Sequence, residues 1–82
     1  MKSYVFKVTI EADKFEDGRD ALHAFCPGLK GCHTWGQTYE EALANVRDAI
    51  DLYVQDLIES GDPVPVDGGT IELQEPAVVV NV

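Results

Sequence analysis

Apolar and polar residues alternate from Ser3 to Ala12. Tyr4, Phe6, Val8 and Ile10 share one side and Val5, Lys7, Thr9 and Glu11 the other, which is the period-2 pattern of a strand. Asp13 to Asp20 is charge-rich around Gly18 and too polar to pack, so it predicts a turn that returns the chain for hairpin pairing. Leu22, Ala24 and Cys26 then alternate with His23 and Phe25 in a second strand. Pro27-Gly28 and Gly31 bracket another turn, and Cys32 to Gln37 predicts a third strand in which Gly36 signals a bulge or a close backbone approach.

The period changes at Thr38. Thr38-Tyr39-Glu40-Glu41 fits a capping box, in which the threonine hydroxyl accepts from the backbone N–H three residues on and Glu41 reaches back to the cap. Leu43, Val46, Ile50, Tyr53 and Leu57 recur at helical spacing, and Ala42, Ala49, Val54 and Ile58 widen the stripe. Glu40, Arg47, Asp48, Asp51, Gln55 and Glu59 fall on the opposite side. Ser60-Gly61 closes the helix, and Pro63 forbids its continuation. The expected helix spans about Tyr39 to Ser60. After a Pro- and Gly-containing linker from Asp62 to Gly69, Ile71 and Leu73 alternate, Pro76 breaks the pattern, and Ala77 to Val82 predicts a last strand covered on both faces.

This order, β-β-β-α-β, predicts a single α+β domain over residues 1–82. It is a two-layer sandwich with one helix on a mainly antiparallel sheet, the opening portion of a ribonuclease-H-like fold. A right-handed crossover through the helix would bring the last strand beside the first and parallel to it. The other face of the sheet is then bare, and apolar area there marks a protein interface.

Composition narrows the function. Six Lys and Arg against fifteen Asp and Glu give a net charge of −9 in 82 residues, which repels phosphates and anionic lipid and attracts basic proteins. Direct binding of nucleic acid is disfavoured. The longest apolar run, Ala77 to Val80, is far below the ~20 residues of a membrane helix, and the N-terminus lacks a signal-type apolar block. A cytoplasmic protein is expected, with Cys26 and Cys32 as thiols.

Candidate chemistry is sparse. His23, Cys26, Cys32 and His33 include zinc-binding residue types, but their spacing matches no standard finger or ribbon, so buried thiols and two edge histidines are the better reading. A two-metal phosphodiesterase would draw on Glu11, Asp13, Glu40 and Glu41. Against it, Glu41 is explained by capping, Glu40 by a solvated helix face, and Ala77 to Val82 carries no acidic side chain. Gly28, Gly31 and Gly36 lack the spacing of a phosphate-binding loop. Trp35 fits either an exposed contact or a core position. No cofactor is expected.

The run Cys26-Pro27-Gly28-Leu29-Lys30-Gly31-Cys32-His33-Thr34-Trp35-Gly36-Gln37-Thr38-Tyr39-Glu40-Glu41-Ala42 resembles the P-x-L-x-G-C-x-T-x-G-x-T-x-E-E-A signature of HicB-like antitoxins. Gly61 to Pro65 resembles that family's helix exit. The resemblance covers roughly residues 3 to 66 and marks Pro27, Gly28, Gly31, Cys32, Gly36, Thr38, Glu41 and Ala42 as motif positions. It implies a non-catalytic partial ribonuclease-H-like domain that covers the active surface of a small basic HicA-like mRNA-cleaving toxin and forms a homodimer or higher oligomer. Fuller members carry a C-terminal DNA-binding segment, which this sequence is not expected to have, and an orphan oligomeric ligand-binding domain is the remaining alternative. For the toxin contact, the acidic residues Glu40, Asp48, Asp51 and Glu59 are the candidates, set against their plain role as a solvated helix face.

Overall fold

The structure, a computed structural model, describes residues 3–65 and 77–81. Its elements in chain order are β1 (Ser3–Lys7), β2 (Thr9–Lys14), β3 (Asp20–Phe25), β4 (His33–Gly36), α1 (Tyr39–Ser60) and β5 (Ala77–Asn81). Strands β2, β3 and β4 form an antiparallel meander, and β1 pairs with β5 in a two-stranded sheet.

The alternating segment expected as one strand is therefore two. Side-chain alternation runs through the break, since Phe6 and Val8 are both buried and Ile10 is half-buried. What changes is the backbone partner. Strand β3 ends at Phe25 opposite Thr9, because the chain turns away at Pro27-Gly28, and the residues before Val8 pair with β5 instead. A second correction concerns β5. It lies beside β1 as expected, but antiparallel, with Phe6 opposite Val78. The parallel arrangement rested on a right-handed crossover through the helix, whereas the observed ladder runs antiparallel from Ser3–Asn81 to Lys7–Ala77. The alternation around Ile71 and Leu73 lies outside the described residues.

The hairpin between β2 and β3 closes over Phe15 to Arg19. Phe15 N–H donates to Arg19 O at 2.9 Å, Gly18 takes a φ of 86°, and Lys14 pairs with Asp20 across the strand ends. Helix α1 has the expected bounds. Thr38 is extended, and its hydroxyl accepts from Glu41 N–H at 3.1 Å. At the other end Gly61 takes a left-handed φ of 76°, its N–H donating to Ile58 O while that of Asp62 donates to Leu57 O.

Helix α1 packs chiefly on β4, then on β3, β5 and β2. Its buried stripe, Ala42, Val46, Ile50 and Val54, meets Phe6, Val8, Ala24, Cys26, Leu29, Cys32 and Val78 in one core. That core occupies one face of the meander, and the opposite face carries Glu11, His23, His33 and Trp35.

Candidate functional site

The outer face of the meander follows from register. Glu11 pairs with His23 and His23 with Trp35, while Thr9 pairs with Phe25 and Phe25 with His33. Because strand side chains alternate, this pairing gathers both histidines, the one tryptophan and a carboxylate from β2 on the side away from the helix. His23 Nδ1 lies 3.3 Å from Glu11 Oε1, and His23 Nε2 lies 3.1 Å from His33 Nδ1. The Trp35 ring stacks on His23 and meets His33 edge-on, both at 4.9 Å between centroids, and Phe25 is 5.1 Å from His23. Trp35 Nε1–H donates to Asp13 Oδ2 at 2.9 Å. Trp35 is thus an outer-face residue, 40% exposed. The sequence alone leaves Trp35 undecided and groups the histidines with Cys26 and Cys32; the signal that finds the observed cluster is the cross-strand register, which composition and spacing do not contain.

The indole hydrogen bond is the largest cause holding the Asp13 carboxyl below its ordinary value, followed by the Lys14 backbone N–H. A carboxyl with a lowered folded-state pKa makes its contribution above the usual value, 3.8, and loses it as pH falls through the lowered one. Trp35 emission should therefore show an acid step at a pH below 3.8, and Asp13→Asn should abolish that step. A step at ordinary carboxylate acidity would contradict the contact.

The other predicted residues separate. Cys26 and Cys32 are thiols buried in the core, and desolvation, helped by the neighbouring Cys26, pushes the Cys32 thiol up, the opposite of what a nucleophile needs. The two cysteines thus belong to the core while the two histidines sit on the outer face. Glu40 and Glu41 stand in the first turn of α1, where the helix dipole favours them, and Glu11 and Asp13 sit on the outer face of β2. Among the described residues, no group of three or more His, Cys, Asp or Glu side chains converges to hold a metal ion. Glu40, Asp48, Asp51 and Glu59 are all exposed on α1, and Asp51 accepts from Gln55 Nε2 at 3.1 Å.

Comparison with known proteins gives this arrangement a family. The profile described as the HicB_like antitoxin of bacterial toxin-antitoxin system matches residues 6–77. The chain belongs to the HicB-like antitoxin family. A UPF0150 protein of Synechocystis is 48% identical over 61 residues, covering 74% of this chain and 75% of that one. Another UPF0150 protein, from Thermoplasma acidophilum, is 38% identical over 61 residues, covering 74% and 86%. The crystal structure of the N-terminal domain of Burkholderia pseudomallei antitoxin HicB superposes with a TM-score of 0.67 at 27% identity, covering 95% of this chain and 96% of that one. Against the crystal structure of the Burkholderia pseudomallei antitoxin HicB, the TM-score is 0.60 at 27% identity, and this chain spans 64% of that length.

The HicB-like motif positions have physical roles in this structure. Pro27 and Gly28 form the exposed corner of a loop whose ends are tied by Cys26 N–H to Cys32 O at 3.0 Å. That loop drives Leu29 into the core at 1% exposure, and Gly31 returns the chain with a φ of 78°. Cys32 fills core beside it. Gly36 lies directly under the first turn of α1, where Thr38 and Glu41 form the cap and Ala42 is fully buried. The close approach anticipated at Gly36 is what the structure shows, and the bulge alternative falls away because the β3–β4 ladder runs unbroken from Phe25–His33 to Leu22–Gly36. The HicB-like signature is thus a folding device that seats the helix on the sheet.

Among the described residues, no helix is long and apolar enough to cross a membrane.

Proposed function

We propose that this chain is the antitoxin of a toxin–antitoxin pair and neutralises a small basic HicA-like mRNA-cleaving toxin by covering its active surface. The observation that carries the reading is HicB-like family membership over residues 6–77 in a chain of net charge −9. A partner that cleaves RNA must present cationic side chains to phosphates, and an anionic protein is steered onto that same surface in competition with RNA. Glu40, Asp48, Asp51 and Glu59 supply the acidic contact, and Leu52 and Ile58, exposed on the same helix, add apolar area to it. The chain acts without catalysis, in the cytoplasm. It self-associates as a dimer or higher oligomer, for which β2 and β4, the outer strands of the meander among the described residues, offer strand edges.

An RNA-cleavage assay tests this directly. A purified HicA-like toxin encoded in the same genome should stop cutting labelled RNA when this chain is added at equal concentration. Continued cleavage under a large excess of the chain would overturn the proposal. So would metal-dependent cleavage by the chain alone that Glu11→Gln or Asp13→Asn abolishes, since that would be the phosphodiesterase.

A further inference from the structure

We propose that His23 and His33 form a binding site for a divalent transition-metal ion of the imidazole-preferring kind, such as zinc or nickel. The site is independent of the toxin reading and rests on the outer-face geometry alone.

The two facing nitrogens, His23 Nε2 and His33 Nδ1, are 3.1 Å apart. Two imidazole nitrogens bound tetrahedrally to one ion at ~2.0–2.1 Å stand roughly 3.3 Å from each other, so the pair needs to open by only a few tenths of an ångström. Without an ion, the two nitrogens must share one proton between two lone pairs. An ion replaces that proton, and His33 accommodates it by carrying its own proton on Nε2 instead. Glu11 completes the arrangement. Its carboxylate, 3.3 Å from His23 Nδ1, favours the tautomer that keeps the Nε2 lone pair toward His33, as carboxylates behind metal-bound histidines do. Trp35, packed at 4.9 Å from both rings, limits their rotation and so reduces the entropy lost on binding.

Access and charge agree with this. His33 is exposed, and the histidine pair lines one side of an open depression of about 300 Å³ whose other wall is the Pro27–Cys32 loop. Glu11 and Asp13 lend the face a negative potential that favours a cation. No third protein ligand joins the pair among the described residues, so water completes the shell and the site is open and reversible. Ions that favour imidazole fit it, whereas magnesium and calcium, which take oxygen ligands, do not.

The chain's one tryptophan is a built-in reporter, since it touches both ligands. Tag-free protein titrated with nickel chloride should show saturable one-to-one quenching of Trp35 emission, reversed by excess zinc chloride. His23→Gln or His33→Gln should weaken nickel binding at least tenfold, and Glu11→Gln by about tenfold, in the range seen when partners behind metal ligands are removed. Calorimetric titration of the unmodified chain with zinc should give the same stoichiometry without relying on any variant. Quenching that does not saturate, that survives in folded His33→Gln protein, or that is accompanied by no heat of zinc binding would overturn the site.

Discussion

Gly36→Ala should lower the stability of the fold by about 3 kcal/mol, the upper part of the range for overpacking a full interior. A methyl group built at Gly36 would lie 2.4 Å from the Ala42 backbone nitrogen, 2.7 Å from Ala42 Cα and 3.0 Å from Glu41 C. All three are helix backbone, so no flexible side chain can swing aside. The helix has to lift from the strand at its first turn. That movement strains the bond from Asn45 Nδ2 to Trp35 O, 2.8 Å, and opens space beside the fully buried Ala42. An 82-residue domain has roughly 4–12 kcal/mol of total stability, so the loss is a large share of it, and the melting temperature should fall by roughly 15 °C. Gly28→Ala is the matched control. Nothing lies within 4 Å of its added carbon and its φ is not positive, so its denaturation midpoint should stay close to the unmodified protein. Equal midpoints for Gly36→Ala and Gly28→Ala would mean that the helix does not rest on β4 as described.

The contrast between Gly36 and β5 shows where sequence reasoning reaches. Everything around Gly36 is local. The cap at Thr38, the stripe from Ala42 to Val54 and the stop at Gly61 are set by residues within a few positions of one another, and the expected helix and the observed one have the same ends. The direction of β5 is set instead by pairing with a strand far away in sequence, and alternation in a strand says which side is buried without saying which neighbour supplies the hydrogen bonds. Val8 illustrates the same limit, because the Phe6–Val8–Ile10 alternation is continuous while the ladder changes partner beneath it. The histidine cluster failed to emerge for a related reason. Spacing sets His23 and His33 beside Cys26 and Cys32, their neighbours in sequence, but in an antiparallel meander the neighbours that matter are Glu11 and Trp35 across the ladder. Conversely, the acidic helix face was legible at once because period 3.6 assigns exposure directly.

Reversing that face should have the largest effect on partner binding. In a variant carrying Asp48→Lys, Asp51→Lys and Glu59→Lys, each reversal adds two units of charge and the net charge rises from −9 to −3. Glu40 and Glu41 are left in place because they favour the helix N-terminus. The fold should be nearly unaffected, since all three sites are exposed and the last turn of α1, which has no basic residue, gains a favourable one at position 59. Association with a basic toxin at low salt should slow by about 100-fold, within the span that electrostatic steering commands. The deficit should shrink as salt is added, because contacts between exposed charges are screened over roughly 10 Å at 0.1 M ionic strength. Trp35→Ala, on the opposite layer, should leave association unchanged. Stopped-flow binding across a salt series decides between the two faces: a salt-insensitive loss confined to Trp35→Ala would transfer the docking surface from the helix to the sheet, while a salt-dependent loss in the lysine variant alone places the toxin over α1.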